Sequence, residues 1–256
     1  MSYDSADVLK NFAARRSITF PLLTDPESKV IRAFGLLNDV DYKAGHFAHG
    51  VPFPGTFVTD GAGIVTRKSF EGAYQERQTV ASLLAGERPD PQSGTIDIQN
   101  AQFTLKTSLS NAEASPGQRL SIFLDFEMMP KVHAYARGVK GYRALNLRLD
   151  PDPLVKAHEA SYPPSKPYTF APLEETVPVY DGSFRVTQEV TLLVPPSRPA
   201  ASSSPPETTI DLAGTLEYQT CSDTICHAPE TERLRWTIRL KPLDRERAPE
   251  ALRRRP

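Results

Sequence analysis

The chain has 256 residues, enough for two modest domains that each bury a core. Its 30 Lys and Arg nearly balance 31 Asp and Glu, so no large single-sign field marks nucleic acid or an acidic lipid surface as a partner. No apolar run approaches the roughly 18 residues that span a bilayer, and the first residues lack the charged-then-apolar pattern of an export signal.

Residues 1–86 alternate helical and strand patterns. Asp4 or Ser5 caps a predicted helix whose apolar face is Val8, Leu9, Phe12 and Ala13, and Thr19 to Leu23 reads as a strand. Asp25-Pro26-Glu27 opens a second, short helix through Val30, Ile31 and Phe34, with Gly35 as its stop. Gly55 to Thr59 and Ile64 to Phe70 form a predicted hairpin about Asp60-Gly61-Ala62-Gly63. A last helix is expected from Glu76 to Leu84, ended by Gly86.

Residues 87–94 break both periodicities and read as a linker. Most of the 24 prolines follow it, and residues 95–242 show period-two alternation: Leu120, Ile122, Leu124, Phe126; Leu145, Leu147, Leu149; Phe184, Val186, Val190, Leu192; and Leu234, Trp236, Ile238, Leu240. Strands buried on one face with proline-rich connections predict an antiparallel β-sandwich, so the fold class is α/β followed by all-β. The Pro- and Ser-rich residues 195–206 read as a long loop, and 243–256 as a disordered tail.

The only cysteines are Cys221 and Cys226. A disulfide between them would close so short a loop that the chain-entropy model gives it only on the order of 2 kcal/mol. That favours redox use, while a structural disulfide stays open on spacing alone. Protonated His227 would promote a Cys226 thiolate, whereas Asp223, Glu217 and Glu230 would oppose it. Zinc held by Cys221, Cys226 and His227 is disfavoured, because adjacent Cys and His converge poorly on a tetrahedral ion. His46 and His49 form a weak His-x-x-His pattern, and Trp236 reads as core; no metal or cofactor is expected.

The string Tyr218-Gln219-Thr220-Cys221, a short spacer, then Cys226-His227-Ala228-Pro229-Glu230-Thr231 resembles the N-terminal domain of the thiol:disulfide reductase DsbD, the disulfide bond corrector family. Lys131 to Tyr135 and Val179 to Phe184 support the match. The resemblance implies an immunoglobulin-like fold whose cysteines cycle between dithiol and disulfide, with Cys226 attacking and Cys221 resolving. It also implies a cap near 174–182, for which Tyr180 is the candidate, and a candidate site environment of Tyr218, His227, Pro229, Glu230, His133 and Tyr135, in which His133 and Tyr218 read equally well as ordinary core residues.

Residues 1–86 resemble the C-terminal portion of redoxins of the AhpC/TSA family through Thr19 to Pro26, Lys29 to Gly35 and Pro54-Gly-Thr-Phe-Val58. This implies a partial thioredoxin fold with Pro54 at the cis-proline position. The reactive cysteine of that family belongs to a preceding half, so a truncated gene product is expected, with Met1 inside a longer frame. Together the resemblances imply thiol-disulfide exchange with thioredoxin-like proteins, an attached or separate redoxin among them, in the periplasm. The alternatives are a non-catalytic immunoglobulin-like module with a structural disulfide, a peroxidase-related antioxidant protein if the redoxin half is restored, and a cytoplasmic location.

Overall fold

The structure, a computed structural model, describes residues 1–39, 43, 46, 49–70, 76–86, 95–170, 175–193, 208–242 and 249–252. The chain divides into two units, Met1–Tyr74 with Asp244–Pro256 and Gln75–Leu243.

In the first unit, local rules place the elements. Helix α1 (Ala6–Arg16) starts where the Ser5 side chain accepts the Val8 N–H. Helix α2 (Lys29–Ala33) starts later than the expected opening at Asp25-Pro26-Glu27: its N-cap is Ser28, and the Asp25 carboxylate reaches in from before it to accept the N–H groups of Lys29 and Ile31. Gly35, at φ +67°, follows its end. Strands β1 (Gly55–Thr59) and β2 (Val65–Phe70) pair antiparallel, and the Asp60 carboxylate fixes their turn by accepting from Ala62 and Ile64. Two expectations fail. Thr19 to Leu23 is not a strand: among the described residues its backbone pairs just once, Leu23 C=O with Ser2 N–H. Pro54 follows a trans peptide, the form X-Pro prefers by about 0.5–1 kcal/mol.

The second unit begins earlier than the expected linker at 87–94, which lies outside the described residues. Instead of one helix over 76–84, strand β3 (Arg77–Gln78) precedes helix α3 (Val80–Leu84). The reason is a tertiary pairing: Arg77 and Thr79 N–H groups donate to the carbonyls of Gly117 and Arg119. Thr79 then caps α3 by accepting the Ser82 N–H. Next come β4 (Thr95–Gln99), β5 (Phe103–Leu109), β6 (Glu113–Ala114), β7 (Gln118–Met128) and β8 (His133–Tyr135). They are followed by β9 (Asn146–Leu149), β10 (Val155–Ala157), β11 (Lys166–Phe170), β12 (Glu175–Asp181) and β13 (Ser183–Leu192). The unit closes with β14 (Thr208–Tyr218), β15 (Thr220–Cys221) and β16 (Glu230–Leu240).

One sheet runs β10-β13-β7-β5-β4 with β3 parallel to β7; a second runs β6-β16-β14-β9; a third, shorter one runs β11-β12-β8-β15. The main core takes Phe103 and Leu105, then Leu120, Ile122, Leu124 and Phe126, then Val186, Val190 and Leu192, and Leu212, Leu216, Leu234, Trp236 and Ile238 from the facing strands. This is the expected immunoglobulin-like sandwich. Trp236 is core as expected, its indole N–H donating to Thr107 Oγ1 at 3.0 Å. The loop expected at 195–206 lies outside the described residues; in the expected tail, Glu250–Leu252 form a 3-10 turn.

The second face of β7 is closed by a buried ion pair. Arg185 Nε and Nη2 donate to the two Asp125 oxygens at 2.6 and 2.7 Å, and Nη1 donates to Gly86 C=O at 2.7 Å. The guanidinium also lies 4.4 Å from the Phe123 ring centroid. Asp125→Ala should strand a buried guanidinium and lower stability by about 3–5 kcal/mol. Denaturant unfolding followed by Trp236 fluorescence checks this.

Candidate functional site

The cysteines lie in the turn between the two longest strands of their sheet. β14 leaves its sheet at Tyr218, Gln219 crosses over, and β15 pairs with β8 in the register Thr220↔Ala134 and Cys221↔His133. The chain then reverses over Ser222 to Ile225. Ser222 N–H donates to Ile225 C=O at 2.8 Å, and Ser222 Oγ accepts from Thr224 and Ile225. Cys226 returns opposite Cys221, His227 N–H donates to Thr220 C=O at 2.9 Å, and β16 begins at Glu230. This places the two Cα atoms 4.1 Å apart, joined as a disulfide.

The two sulfurs have unlike surroundings. Cys221 is only 2% exposed, in a small cluster with Tyr135, Val177 and Val179, whereas Cys226 is exposed. The Tyr135 hydroxyl reaches Cys221 Sγ at 3.0 Å and Cys226 Sγ at 3.7 Å. Burial first, then the neighbouring Tyr142, raises the Tyr135 phenol, so it stays protonated and can donate to sulfur. Tyr142 stacks on Tyr135 at 4.2 Å and donates to Glu175 at 2.8 Å. Tyr168 lies 4.2 Å from the His133 ring and donates to Asp223, within the turn, at 3.1 Å. Burial pushes the His133 imidazole below its ordinary value, partly opposed by Asp223 and Asp181.

Of the residues expected here, Cys221, Cys226, Tyr135 and His133 come together. Tyr180 does not: it points from β12 into the main core, 5.1 Å from Phe184, because its neighbour Val179 is the residue that faces the cysteine cluster. Tyr218 is also buried in that core, edge-on to Phe103, with its hydroxyl donating to Glu230 at 3.1 Å. His227 and Pro229 lie on the returning arm, where the His227 ring contacts Gln102 at 3.5 Å. Pro229, Gln219, Glu217, Tyr142, Arg143 and Asn146 line a cleft of about 450 Å³. Tyr142 and Tyr168 were not picked out from sequence, their partners being distant in the chain, and Gln219 appeared there only as part of the cysteine motif. Among the described residues no three His, Cys, Asp or Glu side chains converge as a metal site needs, and no helix is long and apolar enough to cross a membrane.

Comparison with known proteins gives two family matches. The model for "Thiol:disulfide interchange protein DsbD, N-terminal" matches residues 100–237, and that for the AhpC/TSA family matches residues 1–68. Among solved structures, the chain is similar to the N-terminal periplasmic domain of ScsB from Proteus mirabilis at 17% identity and a TM-score of 0.36. That match covers 54% of this chain and 47% of the other, so the chain spans about half the length of that relative. It is also similar to the reduced N-terminal domain of DsbD from Neisseria meningitidis at 14% identity and a TM-score of 0.29, covering 46% of this chain and 81% of that one. Among curated proteins there is no significant match.

Two outcomes follow from the geometry. Tyr135→Phe keeps the ring stack but removes the donor to Cys221, which leaves as thiolate when a reagent attacks the exposed Cys226. A hydrogen bond of about 1 kcal/mol corresponds to about fivefold, so dithiothreitol should reduce the disulfide about fivefold more slowly; an unchanged rate would exclude this role. Because His133 titrates below its ordinary 6.5 when folded, the unfolded chain binds more protons. Its contribution is complete above about pH 6.5 and is lost as pH falls. His133→Gln should therefore show a shallower loss of stability on acidification than the parent, measured by denaturant midpoints from pH 8 to 5. His158, also pushed down by burial, is common to both proteins.

Proposed function

The chain belongs to the family of the N-terminal domain of the thiol:disulfide interchange protein DsbD, and from that premise we propose that Cys221 and Cys226 exchange disulfides with thioredoxin-like thiol proteins outside the cytoplasm. The observation that carries this reading is the unequal exposure of the two sulfurs. A partner can reach Cys226, while Cys221 stays under Tyr135 as the internal sulfur.

In the reducing direction, the Cys226 thiolate attacks one sulfur of a partner's disulfide. The partner's S–S bond breaks, its second sulfur leaves with the electron pair, and a mixed disulfide forms. The Cys221 thiolate then attacks Cys226 Sγ; the intramolecular S–S bond forms and the partner's first sulfur departs as thiolate. The partner gains two electrons and the chain ends oxidised. The Tyr135 hydroxyl supports this assignment, since it lies where it can stabilise charge on Cys221.

An oxidising compartment suits a pair that must persist as a disulfide. The redoxin-like unit on the same chain is the proposed candidate for an attached partner, since a tethered domain meets the pair at high effective concentration. Residues 1–86 contain no cysteine, so that relay needs a thiol from elsewhere.

Cys221→Ala should trap a mixed disulfide through Cys226 when mixed with an oxidised thioredoxin-like protein, and Cys226→Ala should trap little. No adduct with the first variant would overturn the proposal. The wild-type reduction potential should lie above about −300 mV, the region below it being typical of structural disulfides.

A further inference from the structure

Gln219 joins two segments that nothing in the sequence connects. Its side-chain Oε1 accepts the Arg143 N–H at 2.9 Å, and its Nε2 donates to His227 C=O at 3.0 Å. The amide orientation is fixed by chemistry, because a backbone N–H can only donate and a carbonyl can only accept. Its own main-chain carbonyl accepts the Tyr135 N–H at 3.2 Å, which ties it to the strand beneath the sulfurs.

The segment it grips is the arm that carries the accessible cysteine. Cys226, Ala228 and Pro229 are exposed and His227 is half-buried, so little apolar packing holds this arm. Apart from the disulfide, His227 is held by its N–H bond to Thr220 C=O, by the Gln219 amide on its carbonyl, and by the long ring contact to Gln102. Once the S–S bond opens, these contacts decide how far Cys226 drifts from Cys221. Ring closure between held thiols is unimolecular, and its equilibrium and rate rise with the fraction of time the sulfurs stay in reach.

We propose that Gln219 is a positioning residue that keeps Cys226 beside Cys221 while the pair is open, and so sets both the reduction potential and the rate at which a mixed disulfide is resolved. The resolution part rests on the exchange reading above; the potential does not. In the step affected, the Cys221 thiolate, its proton already released to water, attacks Cys226 Sγ. The bond from Cys226 to the partner sulfur breaks, and that sulfur leaves with the electron pair and takes a proton from water.

The test uses the full chain as wild type, Gln219→Leu and Gln219→Glu, each equilibrated with glutathione buffers of graded ratio. Gln219→Leu removes both side-chain bonds and should disfavour the oxidised form about tenfold, a potential about 30 mV more positive. Resolution of a preformed Cys226–glutathione mixed disulfide should slow about tenfold. Gln219→Glu separates the two bonds: an ionised carboxylate still accepts from Arg143 but offers no donor to His227 C=O. When protonated it regains that donor, so its difference from wild type should shrink between pH 7 and pH 4, while that of Gln219→Leu should not. Values within twofold of wild type for both variants overturn the proposal, as does a Gln219→Glu difference that ignores pH. Should Gln219→Leu fail to fold, Gln219→Glu decides alone. A wild-type potential below about −300 mV would overturn the exchange reading while leaving the comparison of variants valid.

Discussion

The structure around the sulfurs depends on β8 being buried on both faces. His133, Ala134 and Tyr135 are all buried. Alternation sends Ala134 into the main sandwich core and leaves Tyr135 on the opposite side, in the small cluster with Cys221. β15 pairs with β8, so the position of Cys221 is inherited from a strand that the core already fixes. Cys226 has no such anchor. Five residues further on, past the turn, the chain has emerged from cover, and the asymmetry of the pair is a product of where β15 stops.

Much of the sandwich was legible because period-two patterns report a strand with one buried face. β16 is the clearest case, with Leu234, Trp236 and Ile238 inside and Arg233, Arg235 and Arg239 outside. β7 follows the rule less simply: Phe123 and Asp125 are buried as well as Ile122 and Leu124, because Arg185 covers the second face. A contact between residues sixty positions apart leaves no periodic trace. The same limit applies at the site. The cysteines, Tyr135 and His133 could be placed from a motif and a strand, but Tyr142 and Tyr168 reach them from separate segments. Tyr180 shows how little separates a right from a wrong assignment, since one residue along a strand exchanges the two faces.

The first unit shows the complementary lesson. Its cap and turns at Ser5, Gly35 and Asp60 act where expected, and Asp25 satisfies helix donors although the helix opens at Ser28, because each satisfies donors or strain within a few residues of itself. Strand character at Thr19 to Leu23 failed for the opposite reason. Phe20 and Leu23 have the composition of a strand yet remain exposed, and a strand exists only where another backbone pairs with it. Likewise Arg77 to Thr79 left its helix because the edge of β7 was there to receive it.

The ladder between β14 and β16 pairs residue by residue from Thr208↔Leu240 to Tyr218↔Glu230, and the cysteines lie beyond its last rung. Their bond therefore sits at a tip and none of the rungs depends on it for its pairing. The proposed exchange requires a protein that is well folded with the bond made and with it broken, or each cycle would expose core to proteases and to other chains. Here the architecture grants that indifference: the oxidation state is recorded in one small turn, and the sandwich beneath does not need to know it.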